Sequence, residues 1–468
     1  MNIRTRFAPS PTGLLHFGNI RTALFSDLYA KSCQGSMVLR IEDTDKLRSK
    51  PEYIAAIIED LSWLGISWQE GSDNPGSYGP YQQSQRGDIY AHYYDLLLQQ
   101  EKAYYCFCSE EELAFTRKLQ LSKGKAPRYS GKCRALSASK VQDLLSSGLK
   151  PTLRFRVPQD SLISFNDLIK GPQQFNSNDI GDFIIRRADY SAAFMFCNAI
   201  DDALMAITQV LRGEDHLTNT PRQLMLLHAL QLPQPAYGHL PLIIANDGAP
   251  LSKRHGSYSI RDLRQQGYLP QAIVNYLARL GHHYKATDCL SYKQLTQQFA
   301  LNNIAHSAAH FDASQLLFWQ KHALAALSNT ELLSWLETTI DITIPADLTA
   351  GFIKLVRNNL NFPQDAAKWL KIFTASNLEF SPEQRQCLTS TGKQFFVAAA
   401  TAVVEHGAVL SKITQVLHAS MGLSGKQLYQ PLRLALTGRD DGPELAAIMM
   451  LMPQAQVQAR LLQASQLC

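Results

Sequence analysis

The 468-residue chain predicts an α/β domain that is split by an insertion and followed by an all-α half. Three observations carry this expectation. Short apolar strands alternate with amphipathic helices over about the first 90 residues and again from about 190 to 245, the pattern of a parallel sheet with helices packed on it. Between them, residues from about 90 to 190 break the alternation. After Gly256 the β-branched alternation nearly vanishes and helical spacing takes over.

Taken in order, Ile3 to Ala8 reads as a strand, because Ile3, Thr5 and Phe7 alternate with Asn2, Arg4 and Arg6. Pro9, Pro11 and Gly13 break it. From Asn19, the spacing of Ile20, Ala23, Leu24 and Leu28 gives a helix face. Met37 to Ile41 is a second strand, ending in Glu42-Asp43-Thr44-Asp45. Pro51 opens a helix over 51–64, which Gly65 stops, and 71–84 is a Gly/Pro/Ser-rich loop. A helix at 88–102 leads to Cys106, Cys108 and Cys133 in basic, loop-rich sequence, and 152–157, 161–165 and Phe183 to Arg187 read as strands. The alternation resumes with 203–216, a helix at 219–231 and the strand 239–245. Helical runs then follow at 270–280, 314–327, 331–337, 365–374, 394–405 and 444–451.

Composition narrows the function classes. The chain is 45% hydrophobic and 18% charged, with no run near the ~20 apolar residues of a membrane span and no apolar signal-peptide core. The expected compartment is the cytoplasm. Eight cysteines over this length are not a disulfide framework. A net charge of +5 allows a polyanionic partner without requiring one.

Two stretches carry chemistry. The strand–turn–helix through His16-Phe17-Gly18-Asn19 offers unpaired N–H groups to an anion; an ordinary βα turn with a surface histidine is the competing reading. Leu251-Ser252-Lys253-Arg254-His255-Gly256 concentrates cations just after a strand, at the sheet edge where ligands bind. Lysine there can clamp a reacting phosphate.

Together these stretches resemble the HIGH and KMSKS signatures of class I aminoacyl-tRNA synthetases. RFAPSPTG, RIEDTD, VLRGEDH, NTPRQ, LSKRHG, LPQAIVNYLARLG and PLRLALTG narrow the resemblance to bacterial glutamyl-tRNA synthetases, over the full length. The resemblance implies a Rossmann-type catalytic domain in two halves, 1–90 and 191–245, around an α+β acceptor-end insertion at 91–190. A stem-contact domain at 246–325 and helical anticodon-binding domains at 326–468 would follow. It implies ATP-dependent glutamylation of tRNA-Glu through glutamyl-adenylate, with tRNA-Gln as a further candidate acceptor, by a monomer that does not engage membranes. Glutamate activation in this family generally requires bound tRNA.

By the same resemblance, Arg6, with Arg212 close by, faces the substrate's side-chain carboxylate, a task that suits a guanidinium fork. Glu42, with Ser10 beside it, holds the amino group, and Asn198 is a further glutamate contact. His16, Gly18, Asn19, Glu214, Asp215, Leu251, Ser252, Lys253 and Arg254 form the ATP site. His16 and Lys253 stabilise the reacting phosphate, Gly18 admits the adenine side, and Mg²⁺ accompanies ATP. Two positions depart from the family. Phe194 stands where a tyrosine commonly contacts the amino acid, and Pro250 where the first KMSKS lysine falls. Cys106, Cys108 and Cys133 match a structural Zn²⁺ site, with Tyr129 as the fourth ligand as in relatives that use a tyrosine oxygen; three free thiols are the alternative. Arg433, Pro443 and Leu445 fall in motifs of the anticodon-facing part, with helix packing or a solvated charge as the rival reading for each. A catalytically impaired tRNA-binding paralogue is the alternative for the whole chain.

Overall fold

Strand β1 (Arg4–Phe7) pairs in parallel with β2 (Ser36–Leu39), and the helix α1 (Phe17–Ser32) makes the crossover between them. The fold is described from a computed structural model that covers residues 2–245, 247–249, 251, 259–340 and 343–468. Helices α2 (Pro51–Trp63) and α3 (Gly87–Gln99) follow, the first with Pro51 at its opening turn. The insertion then contains β3 (Ala103–Cys106), α4 (Glu110–Ser122), α5 (Ala138–Ser146), β4 (Thr152–Phe155), β5 (Leu162–Asp167), β6 (Gly171–Asn176), α6 (Ser177–Ile180) and β7 (Phe183–Arg186). Strands β3, β4 and β7 form one antiparallel sheet, and β5 and β6 a separate antiparallel hairpin.

The α/β alternation resumes with α7 (Phe194–Leu204), β8 (Gln209–Gly213), α8 (Thr220–Ala229), β9 (Ala236–Leu240) and β10 (Ile243–Ile244). β8 and β9 pair in parallel, and the Thr208 N–H donates to the Arg4 carbonyl at 2.9 Å. This brings β8 beside β1, so segments some 200 residues apart meet at one sheet edge. Val38, Met205, Ile207, Val210, Leu224 and Tyr237 form a buried cluster across these strands, and Ile163 and Phe165 of β5 pack on it. The inserted hairpin is thereby seated on the catalytic sheet.

The rest is helical, with α9 (Ile260–Gln266), α10 (Pro270–Arg279) and α11 (Tyr292–Gln298). One two-residue strand, β11 (Ala309–His310), corrects the expectation that strands stop after Gly256; it pairs in parallel with β10. Among the described residues, ten α-helices follow it, from α12 (Ala313–Ala326) through α13 (Asn329–Thr339), α14 (Ala346–Val356), α15 (Pro363–Thr374), α16 (Pro382–Thr391), α17 (Lys393–His406), α18 (Leu410–Met421), α19 (Lys426–Thr437), α20 (Leu445–Leu451) and α21 (Gln454–Ser465). The chain divides into two compact units, Met1–Arg264 with Pro270–Leu316, and Gln265–Leu269 with Leu317–Cys468. Among the described residues, no helix is long and apolar enough to cross a membrane.

Candidate active site

Arg6 leaves β1 one residue before the turn and is buried at 3% exposure. Its Nε meets Asp202 Oδ1 at 3.1 Å and its Nη1 donates to the Leu211 carbonyl at 3.2 Å, tying β1 to α7 and β8. Asp202 Oδ1 also accepts from Arg40 Nη1 at 2.7 Å, and Arg40 Nη2 donates to Glu42 Oε1 at 3.0 Å. Asn198 Nδ2 donates to the same Glu42 oxygen at 2.7 Å, and Gln223 Nε2 holds the Asn198 carbonyl oxygen at 2.6 Å. Burial opposes ionisation of Asp202, but Arg40 and Arg6 outweigh it and keep its carboxyl below the usual range. For Glu42 burial wins, pushing its carboxyl up against the pull of Arg40.

Arg212, on β8, is 5% exposed, and burial pulls its guanidinium down to about 10, still charged at neutral pH. Its Nε lies 3.1 Å from His239 Nε2 and its Nη2 donates to Thr220 Oγ1 at 2.7 Å. Its buried Nη1 has no hydrogen-bond partner among the described residues. Three buried guanidiniums, Arg6, Arg40 and Arg212, thus face two buried carboxylates, Glu42 and Asp202. Phe194 begins α7, with its ring centroid 5.4 Å from that of His216.

Around the turn, Ser10 and His16 are exposed, and α1 starts with no side-chain cap and no acidic residue in its first turn. Its opening N–H groups are therefore not neutralised by its own sequence. Among the described residues, a Cβ added to Gly18 would meet only the His16 ring, at 3.6 Å, and Asn19 is half-buried beside it. Ser252, Lys253, Arg254 and Pro250 lie outside the described residues. The flanks of that segment are placed: the Leu251 N–H donates to Ile243 O at 3.0 Å, and Ser259 bridges to His16. Asp215 is exposed, whereas Glu214 is engaged by Lys170 Nζ at 2.5 Å and by the Leu242 N–H at 2.8 Å. Asp43, the residue after Glu42 in sequence, lines a cavity of about 290 Å³ together with Lys46, Gln83, Tyr90, Arg186 and Tyr190, among others.

The cysteines meet at the end of β3. Cys106, Cys108 and Cys133 place their sulfurs within 4.8 Å of one another, with Cys108 and Cys133 3.7 Å apart. Tyr129 Oη lies 3.4 Å from Cys106 Sγ and 3.5 Å from Cys108 Sγ, and the Arg154 guanidinium sits 3.9 Å above the Tyr129 ring. Around a zinc ion bonded to sulfur at about 2.3 Å, tetrahedral sulfur pairs lie about 3.8 Å apart and sulfur–oxygen pairs about 3.5 Å. The Cys108–Cys133 pair and the two sulfur–oxygen pairs match those separations.

Residues 2–318 match the model of the class I tRNA synthetase catalytic domain of the E and Q type. A glutamate–tRNA ligase 2 from Coxiella burnetii (strain RSA 493 / Nine Mile phase I) is 49% identical over 464 residues, covering 99% of this chain and 100% of the relative. The chain belongs to the glutamate–tRNA ligase family. A glutamate–tRNA ligase 2 from Nitrosococcus oceani is 50% identical over 459 residues, covering 98% and 97% of the two chains. The solved ligase structure from Elizabethkingia meningosepticum, in complex with its amino acid, superposes with a TM-score of 0.90 at 29% identity, covering 100% of this chain and 99% of that one. The Elizabethkingia anophelis synthetase gives 0.89 at 29% identity, with both chains fully covered. Residues 304–465 match an anticodon binding domain model.

Within that matched region of the ligase fold, Arg433 is half-buried and donates from Nη1 to the Pro443 carbonyl at 2.8 Å. Pro443 is buried, and Leu445 is 4% exposed at the start of α20. Sequence reasoning missed Arg40, Asp202, Gln223, Asp167 and His239. Arg40 and Gln223 lie inside the quoted RIEDTD and NTPRQ motifs, which was a usable signal; the other three stand outside any motif quoted.

Proposed function

We propose that the chain attaches L-glutamate to tRNA-Glu in two ATP-driven steps. The glutamate α-carboxylate attacks the α-phosphate of ATP, and pyrophosphate leaves. A ribose hydroxyl at the tRNA 3′ end then attacks the adenylate carbonyl, and AMP leaves. No side-chain nucleophile is required; positioning and charge neutralisation supply the catalysis.

The observation that carries the choice of glutamate is the buried Arg212 Nη1, which has no hydrogen-bond partner among the described residues. A substrate carboxylate offers that N–H a charged acceptor, and the glutamine amide offers only a neutral one. Arg6 and Arg212 take the side-chain carboxylate, and Glu42, assisted by Ser10 and Asn198, takes the ammonium group. His16, Gly18 and Asn19 receive the phosphates at the start of α1. Lys253, with Leu251, Ser252 and Arg254, comes from the segment whose flank at Ser259 bridges to His16. Glu214 and Asp215 sit after β8, and the Glu214–Lys170 pair supports a bracing role beside the ATP site. The tyrosine- and arginine-lined cavity that Asp43 shares suits a terminal nucleotide, since bases stack on such rings and planes.

Cys106, Cys108, Tyr129 and Cys133 would hold one structural Zn²⁺ that braces the insertion at 91–190. Mg²⁺ would enter with ATP. Residues 1–90 and 191–245 are the catalytic halves, 246–325 contacts the tRNA stem, and 326–468 reads the anticodon. There Arg433 anchors the loop that carries Pro443 and ends at Leu445.

The test is aminoacylation of purified tRNA-Glu and tRNA-Gln, separately, with radiolabelled glutamate. Charging of tRNA-Glu is expected. Tight tRNA binding with no charging of either would make the chain a binding paralogue instead.

A further inference from the structure

A buried chain of three side chains runs from the inserted hairpin to the amino-acid site. Asp167 ends β5 and is 2% exposed. Its Oδ1 accepts the backbone N–H groups of Ile169 at 2.9 Å, Lys170 at 2.8 Å and His239 at 3.2 Å. Its Oδ2 lies 2.5 Å from His239 Nδ1. A carboxylate there accepts a hydrogen bond, so the imidazole proton sits on Nδ1 and Nε2 presents a lone pair. That lone pair faces Arg212 Nε at 3.1 Å and Thr220 Oγ1 at 3.1 Å, while Thr220 also accepts from Arg212 Nη2 at 2.7 Å. Two of the three guanidinium nitrogens are held, and the buried third, Nη1, is left open.

The attachment of the hairpin is tight. The Leu168 N–H donates to the Tyr237 carbonyl at 2.8 Å, and a Cβ at Gly238 would come within 2.8 Å of Leu211 and 3.3 Å of Leu168. Lys170 of the same turn reaches Glu214 at 2.5 Å. A shift of this hairpin therefore moves Asp167 and, through His239, the guanidinium of Arg212.

We infer that Asp167 and His239 are positioning residues for glutamate, fixing the rotation of Arg212 so that Nη1 meets the substrate carboxylate. This rests on the reading of Arg212 as a glutamate contact. It assigns the inserted hairpin a part in the amino-acid site.

The discriminating variant is Asp167→Asn. Its Oδ1 keeps the three backbone bonds, but its amide must donate to His239 Nδ1. That drives the ring proton onto Nε2, where it opposes the Arg212 N–H. A purely structural role tolerates this exchange. In aminoacylation of tRNA-Glu, the positioning role predicts a glutamate KM raised about tenfold or more, with the ATP KM within about twofold of the parent. Thr220→Val keeps the volume and cuts the Nη2 tether together with the Thr220–His239 contact, so it gives a glutamate KM raised several-fold even where Asp167→Asn does not fold. Unchanged glutamate KM in folded Asp167→Asn, or equal rises for glutamate and ATP, overturns the inference. Arg212→Ala, measured alongside, separates the two readings. If it raises glutamate KM while Asp167→Asn does not, the positioning role alone fails; if it changes nothing, both fail.

Discussion

In the proposed glutamate site, Phe194 is the position whose substitution should change affinity for the amino acid. Its ring lies near His216 but brings no hydroxyl to the pocket. A hydrogen bond to a charged group contributes about 1.5–3 kcal/mol. Phe194→Tyr is therefore expected to lower the glutamate KM, by about tenfold; an unchanged or raised KM contradicts this. Asp60 makes a stability prediction away from the site. Burial pushes its carboxyl up to about 6, with Arg261 opposing, and its Oδ2 has no hydrogen-bond partner among the described residues. The folded state thus favours the protonated acid, so stability falls as pH rises from about 4 to about 6, and the cost is full above that. Asp60→Asn should raise stability at pH about 7.5 by about 1–2 kcal/mol, with the gain fading near pH 4. Equal melting temperatures at both pH values would refute it. At this scale the sequence showed Arg6, Glu42, Asn198 and Arg212, because long motifs surround most of them. Asp202 stayed hidden: its partner Arg6 lies 196 residues away, and no local pattern marks an ion pair closed by the fold.

Among the elements, the insertion was the least legible. Strand β3 is four residues long and follows a helix directly, and β6 reads GPQQFN, with proline, glycine and polar residues where strand formers would be expected. Helices α4 and α5 bury no residue, so neither needs the apolar stripe from which a helix is recognised. A metal at the proposed cysteine site would brace the part of the insertion whose helices bury no residue. Purified protein should contain one zinc per chain. Removing it with a chelator should speed hydrogen exchange over residues 103–155 and leave α17 and α21 unchanged, because those helices have a separate core. Near-zero metal content in a folded protein would remove the site. The α/β alternation itself was readable, because each parallel strand is a short apolar run bounded by turn residues. The run read as one strand at 239–245 divides into β9 and β10, interrupted at Pro241, whose ring cannot donate to a ladder.

For the whole molecule, two matched models cover residues 2–318 and 304–465, so both the catalytic and the helical parts belong to one ligase architecture. The tRNA requirement implied by the family is testable as pyrophosphate exchange. Exchange with glutamate should be strong with tRNA-Glu present and at background without it; equal rates in both would show that the amino-acid site is complete on its own. The measurement closest to the central claim compares glutamate and glutamine as substrates for charging purified tRNA-Glu. A buried Arg212 N–H left open for the substrate carboxylate predicts a kcat/KM for glutamate at least about a thousandfold above that for glutamine. Comparable charging with the two amino acids would contradict it.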